Sequence, residues 1–258
     1  MILDTTFNKT IIFFVSILSN LLSAISGGGA GLIQLPLLLI IGLKYSVALT
    51  THKLATVALG LGASIRIFGQ KKVNLRFILF LFLIGIPGIF IGANIVRFFP
   101  SEYLIIILGI ITFFLGIYSS NHSFPYKLTE VNNISRFEFF LGSTLLFFVG
   151  VVNGSVSSGS GLLVTFILVR FFKYSFKESI IFTLISVGLG WNFIGFYALS
   201  VDQEVYWPYV PYLVSGSLLG GFLGAHLSIV KGSRLIKKCF EYVCFLLGIF
   251  LVMKGLNL

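Results

Sequence analysis

The chain has 258 residues, 57% of them hydrophobic and only 10% charged, with a net charge of +10 and a mean hydropathy of +1.05. Soluble domains carry about 25% charged residues, so this composition excludes a sizeable soluble domain and leaves one transmembrane domain over 1–258. The positive charge does not signal nucleic acid: Lys and Arg sit in short loops between apolar runs, as positive-inside topology requires.

The apolar runs fall at about 10–25, 30–43, 46–68, 75–97 and 102–120, then 136–153, 160–172, 175–200, 208–230 and 235–257. The first 26 residues have the outline of a signal peptide, with apolar Thr10–Leu22 before the small residues Ser23–Ser26. Against that, Asp4 cancels Lys9, and the same pattern recurs internally at Phe139–Val156. The segment is expected to stay in the mature protein.

Gly27, Gly28 and Gly29 interrupt an uncharged stretch from Thr10 to Leu43. Three glycines in a helix cost about 1 kcal/mol each relative to alanine, so a break is expected, with a second half-helix starting near Ala30. Broken backbone in hydrocarbon is tolerated only against protein or a watery cavity. The new half-helix would turn its N–H groups and positive dipole end into that cavity.

The next run carries Thr50, Thr51, His52 and Lys53. Arg66 lies 13 residues beyond Lys53, about 20 Å along a helix. Lys53 is therefore placed deep in the membrane, where an ammonium is costly and faces the bundle interior; the alternative is a lysine snorkelling to the outer surface. His52 reads as a packing or surface residue. Gly88 and Gly92, and later Gly216, Gly220 and Gly224, form small-residue faces for close helix packing.

Asn121–Arg136, with Pro125, reads as a linker (121–135) between two repeats, 10–120 and 136–257. Gly31-Leu32 matches Gly161-Leu162, Lys44-Tyr45-Ser46 matches Lys173-Tyr174-Ser175, and Gly60-Leu61-Gly62 matches Gly188-Leu189-Gly190. Gly88, Gly92 and Ala93 match Gly220, Gly224 and Ala225; Ser101 matches Ser233; Leu115-Gly116-Ile117 matches Leu247-Gly248-Ile249. Six matches in order at one near-constant offset argue for duplication.

Loop charges orient the halves. Arg66, Lys71, Lys72 and Arg76 follow the third run, while the matching loop of the second half has Asp202 and Glu204 and no Lys or Arg. One loop later the pattern swaps: Arg97 and Glu102 cancel, while Lys231, Arg234, Lys237 and Lys238 cluster. Matching loops then lie on opposite sides, and the halves form an inverted repeat. The expected fold is an all-α polytopic bundle of two inverted repeats, each a broken-helix hairpin of two short helices plus three transmembrane helices. Both termini lie outside, with 13 of the 18 Lys and Arg inside and Lys9, Lys44, Lys53, Arg97 and Lys254 outside.

The second break, Asn153–Gly161, carries Ser157, Ser158 and Ser160 in the place of the glycine run. Hydroxyls and free amides at the start of a half-helix suit an anion; the competing reading is a flexible hairpin tip. Asn192, Ser186 and Thr183 could line the cavity beside it. His226 is titratable inside an apolar run and is a candidate proton relay. Cys239 and Cys244 are five apart and share no helix face; neither a disulfide nor a metal site follows. No cofactor is expected, and no ATP-binding motif is present.

At these residues the sequence resembles the TauE/SafE family of sulfite and organosulfonate exporters, also called the sulfonate uptake permease family. The resemblance rests on Gly27–Pro36, read as Gly-Gly-Gly-x-Gly-x-x-x-x-Pro, and on the Ala-x-x-Thr-x-Lys stretch Ala48–Lys53 leading to Arg66 and Gly69. The Ala48–Lys53 stretch looks like that of a subgroup known only as probable membrane transporters. The second break departs from the pattern, with Ser157–Gly161 and Phe166 where relatives often have Gly-Gly-Gly and Pro.

The resemblance implies transport of a sulfur-containing anion such as sulfite, thiosulfate or a sulfonate across the cell membrane; the partners expected are the lipid bilayer, the small anionic substrate and a coupling proton or ion. The expected site is Gly27, Gly28, Gly29, Thr50, Lys53, Ser157, Ser158, Ser160 and Asn192. Alternatives are an intramembrane serine hydrolase using Ser157, Ser158 or Ser160 with His226, and a passive anion channel.

Overall fold

The computed structural model describes residues 6–27, 30–68, 73–121, 134–230 and 234–256. Gly28, Gly29, Gly69, Lys71, Lys72, Lys231, Ser233 and linker residues 122–133 lie outside the described residues. Every regular element among the described residues is helical. The first half comprises α1 (Thr6–Ser26), a 3-10 turn (Ala30–Leu32), α2 (Gln34–Ile40), α3 (Tyr45–Phe68), α4 (Leu75–Phe98) and α5 (Ser101–Asn121). The second comprises α6 (Arg136–Ser155), α7 (Ser160–Arg170), then α8 (Phe176–Thr183), a π-helical segment (Leu184–Trp191) and α9 (Asn192–Ser200) in one rod, and α10 (Val210–Val230) and α11 (Arg234–Gly255).

Five helical stretches among the described residues are long and apolar enough to cross a membrane: Phe7–Ile25, Leu75–Phe98, Arg136–Ser155, Phe176–Ser200 and Trp207–Ser228. Burial separates them into layers. The Phe176–Ser200 rod is 72% buried, whereas Leu75–Phe98 is 33% buried and turns Leu75, Leu79 and Leu83 outward. α3 is as long as α4, at 24 residues, but its polar stretch Thr50–Lys53 is wholly buried. α3 and the rod form the centre; α1, α4, α6 and α10 present apolar side chains outward, as contact with lipid requires.

One expectation is corrected. The first arm of each hairpin is not short: α1 has 21 residues and α6 has 20, about 30 Å each. Only the second arms are short, α2 with 7 and α7 with 11 residues. The reason is pairing: α1 lies along α10 and α6 along α4, partners of 21 and 24 residues.

These pairings are made by the small-residue faces. A Cβ on Gly88 or Gly92 would strike the carbonyls of Phe147 and Val151 on α6. One on Gly220 or Gly224 would strike those of Ile17 and Leu21 on α1. Each half thus clasps the hairpin of the other, α5 packs on α11, and α3 packs on the π segment. There Gly60 and Gly188, matched in sequence, meet backbone to backbone.

Candidate functional site

The two breaks touch. α1 ends at Gly27, in the left-handed region at φ 92°, and α6 ends in a turn with Ser157 at 63° and Gly159 at 72°. A Cβ on Gly31 would lie 3.0 Å from Ser158 Cα, so the backbones are in contact. Thr165 on α7 donates to the Gly27 carbonyl at 2.7 Å, capping the end of α1 from the opposite half. The hydroxyls of Thr165 and Thr183 pair at 2.9 Å, tying α7 to α8.

Between the breaks, α3 and the π segment lies a cavity of about 30 Å³, room for about two water-sized groups. Its polar wall includes His52, Thr56, Ser157, Ser160, Thr183 and Asn192, all buried. The π segment supplies Leu184, Val187 and Gly188. Such i→i+5 turns inside α-helices recur at functional sites.

Behind this wall stands Lys53, fully buried. Its Nζ donates to Asn153 Oδ1 at 3.0 Å and to Asn192 Oδ1 at 3.3 Å. Gly195 leaves the space: a Cβ there would lie 2.8 Å from Lys53 Cε. Among the described residues no carboxylate pairs with Lys53; the ion pairs are Arg97–Asp202 and those of Glu138 with Arg170 and Lys173. The carboxamides pass the polarity forward. Asn153 Nδ2 donates to Ser160 Oγ at 2.9 Å and to Asn192 Oδ1 at 3.3 Å. With its oxygen held by Lys53 and Asn153, Asn192 turns its Nδ2 toward Gly188, to which it makes one long bond of 3.4 Å. The ammonium therefore orients an amide donor at the cavity wall.

A second polar cluster surrounds the first break. Gln34 Nε2 donates to Ser16 Oγ at 2.8 Å and Ser217 Oγ at 3.2 Å. Asn20 Nδ2 donates to the Ser16 carbonyl at 2.7 Å and to Ser217 Oγ at 2.9 Å. Gln34 Oε1 lies 2.8 Å from His52 Nδ1. Neighbours on α3, His52 and Lys53 thus each serve one break.

The predicted site residues divide accordingly. Ser157, Ser160 and Asn192 line the cavity, and Lys53 stands one layer back. Gly27 lies against Thr165 and Ile180 instead of the cavity. Ser158 is buried against Thr112, 3.2 Å between hydroxyls. Thr50 donates back to the Ser46 carbonyl at 2.8 Å, a bond that uses up its proton within α3. His226 is exposed, with its Nδ1 accepting from Arg66 Nε at 2.8 Å, and is not on the cavity wall. Ser160 donates to the Ser157 carbonyl at 2.9 Å; none of the three serines is bonded to a histidine among the described residues.

His52 is the correction: it is a wall residue, not packing or surface. Gln34 and Asn153 were also passed over, although each is an amide inside an apolar run. Their spacing along the chain gave no sign that they meet α3, because their partners lie 18 and 100 residues away.

A multi-pass helical membrane protein with a buried polar cavity between two broken hairpins has the build of a membrane transporter. The comparisons with known proteins agree. The family model for the sulfite exporter TauE/SafE matches residues 12–251, and the chain belongs to that family. It is 26% identical to a probable membrane transporter protein of Haemophilus influenzae, over 92% of this chain and 91% of that protein. It is 25% identical to the probable membrane transporter protein YfcA of Escherichia coli, over 88% and 83%. Identity to the probable membrane transporter protein YunE of Bacillus subtilis is 21%, over 95% and 98%. No solved structure matches the chain.

Proposed function

We propose that the protein is a secondary transporter that exports a small sulfur-containing or organic oxyanion, sulfite or a sulfonate in type, across the cell membrane. The observation that carries this reading is Lys53. A buried ammonium facing only carboxamide oxygens is costly, and an anion at the adjoining cavity would offset that cost. The amide of Asn192 and the Gly161 N–H in the first turn of α7, both at the cavity wall, supply donors to the same cavity.

Alternating access between two inverted repeats, 10–120 and 136–257, is the motion proposed. Three features support it: the crossed clasp of α1 on α10 and α6 on α4, the meeting of Gly60 with Gly188, and the burial of the cavity wall in this conformation. Contacts also respect the expected sidedness. Arg97, placed outside, pairs with Asp202 at 2.6 Å, in the loop also placed outside. Glu138 pairs at 2.6 Å with Lys173, one of the cations placed inside. A closed cavity favours a carrier over an open pore.

The test is counterflow. Purified protein in proteoliposomes loaded with unlabelled sulfite should take up external [35S]sulfite transiently above equilibrium. Sulfite conductance without counterflow would identify a channel, and neither signal with sulfite, thiosulfate or a sulfonate would refute transport of this class.

A further inference from the structure

We propose that His52 binds a proton that enters the cavity together with the anion, and that the pair so accommodated is a divalent oxyanion plus one proton. This rests on the transport reading above and adds a coupling ion and a charge class to it.

Hydrogen-bond bookkeeping fixes the state of the imidazole. Ser16 Oγ donates to the Leu213 carbonyl at 2.8 Å, so its proton is committed. Ser217 Oγ, 3.1 Å from Ser16 Oγ, must then be the donor of that pair. Both hydroxyls can only accept from Gln34, which therefore turns its NH2 to them and its Oε1 to His52. An amide oxygen only accepts, so His52 Nδ1 carries a hydrogen and donates to it. The neutral ring then has a bare lone pair on Nε2. Nε2 is the atom turned to the first break, 3.3 Å from where a Cβ on Gly31 would stand, and His52 lines the cavity.

A lone pair aimed into an anion site repels the cargo. Protonation at Nε2 reverses this, converting that acceptor into a charged donor. When alternating access opens the cavity to one aqueous side, a proton from that side forms an N–H bond at Nε2, and it leaves again with the anion on the other. With Lys53, an imidazolium brings two positive charges to the cavity, which a divalent oxyanion neutralises; a buried site favours that balance. Of titratable groups near His52, Lys53 is the next residue on α3, turned to Asn153 and Asn192. Tyr45, also on α3, has its hydroxyl committed to the Ser155 carbonyl at 2.8 Å. α1, α2, the second break and the π segment turn no charged or titratable side chain toward His52 among the described residues. On α10, His226 lies about 13 Å along the helix from Ser217 and is engaged by Arg66.

The test uses the full chain in proteoliposomes with pyranine trapped inside. Sulfite and thiosulfate are the probes, because thiosulfate stays divalent near neutral pH and brings no proton of its own. The expected result is counterflow of both anions, lumenal acidification during inward thiosulfate flow, and flow that falls as external pH rises. Gln34→Glu, which sets a carboxylate against His52, should extend thiosulfate flow to higher pH by about one unit, a tenfold change in proton concentration. Counterflow of either anion, together with a flat pyranine trace during net inward thiosulfate flow into vesicles without internal anion, overturns the proton claim and leaves the transporter standing. Counterflow of sulfite without thiosulfate overturns the divalent claim. Absence of counterflow for both removes the transport reading itself. The wild-type traces decide the matter even where the variant does not fold.

Discussion

The two breaks occupy equivalent places in the chain and have diverged in chemistry. Around the first, Gln34, Ser16, Asn20 and Ser217 hydrogen-bond to one another, Asn20 Oδ1 is left without a partner among the described residues, and the titratable member is His52. Around the second, the serines and Asn153 are organised by Lys53. One helix, α3, brings His52 to the first break and Lys53 to the second from adjacent positions. The two breaks therefore differ in chemistry although their positions match in the sequence.

The strongest way to break this comparison is to remove the charge. Lys53→Met keeps the aliphatic stem and the space beside Gly195, and should lower [35S]sulfite counterflow by about 100-fold or more, a loss of about 3 kcal/mol, with protein still recovered in the membrane. Asn192→Leu removes the donor that Lys53 orients, and should lower the same counterflow by about tenfold, the worth of a hydrogen bond in a charged network. Asn20→Ala sits in the first cluster but off the cavity; it should cost about 1 kcal/mol of stability, seen as a lower melting temperature in detergent, with counterflow changed less than about threefold. His226→Ala, remote from both clusters, should change counterflow less than about twofold, within the ordinary range of surface substitutions. A large effect there would restore the proton-relay role that the sequence suggested.

The spacing of Lys53 from Arg66 was enough to bury the lysine, and the glycine faces were enough to expect close packing. Contact between the breaks was expected from the matching positions of the glycine-rich and serine-rich stretches. The π segment was hidden, because a register slip over Leu184–Trp191 leaves no mark on apolar composition. The layer order was hidden too. Lys53 stands behind the wall and not on it because Asn153 and Asn192, 100 and 139 residues away, intercept its ammonium. His52 was misread because its defining partner, Gln34, is reached only through the fold of the first hairpin.

The most direct measurement compares melting temperatures of wild type and Lys53→Met as sulfite is titrated. A ligand at a hundred times its Kd stabilises the folded form by about 2.7 kcal/mol, so the wild-type melting temperature should climb with sulfite while that of the variant stays flat. An equal rise in both proteins would show that the bound anion does not depend on the buried ammonium, and would contradict the account.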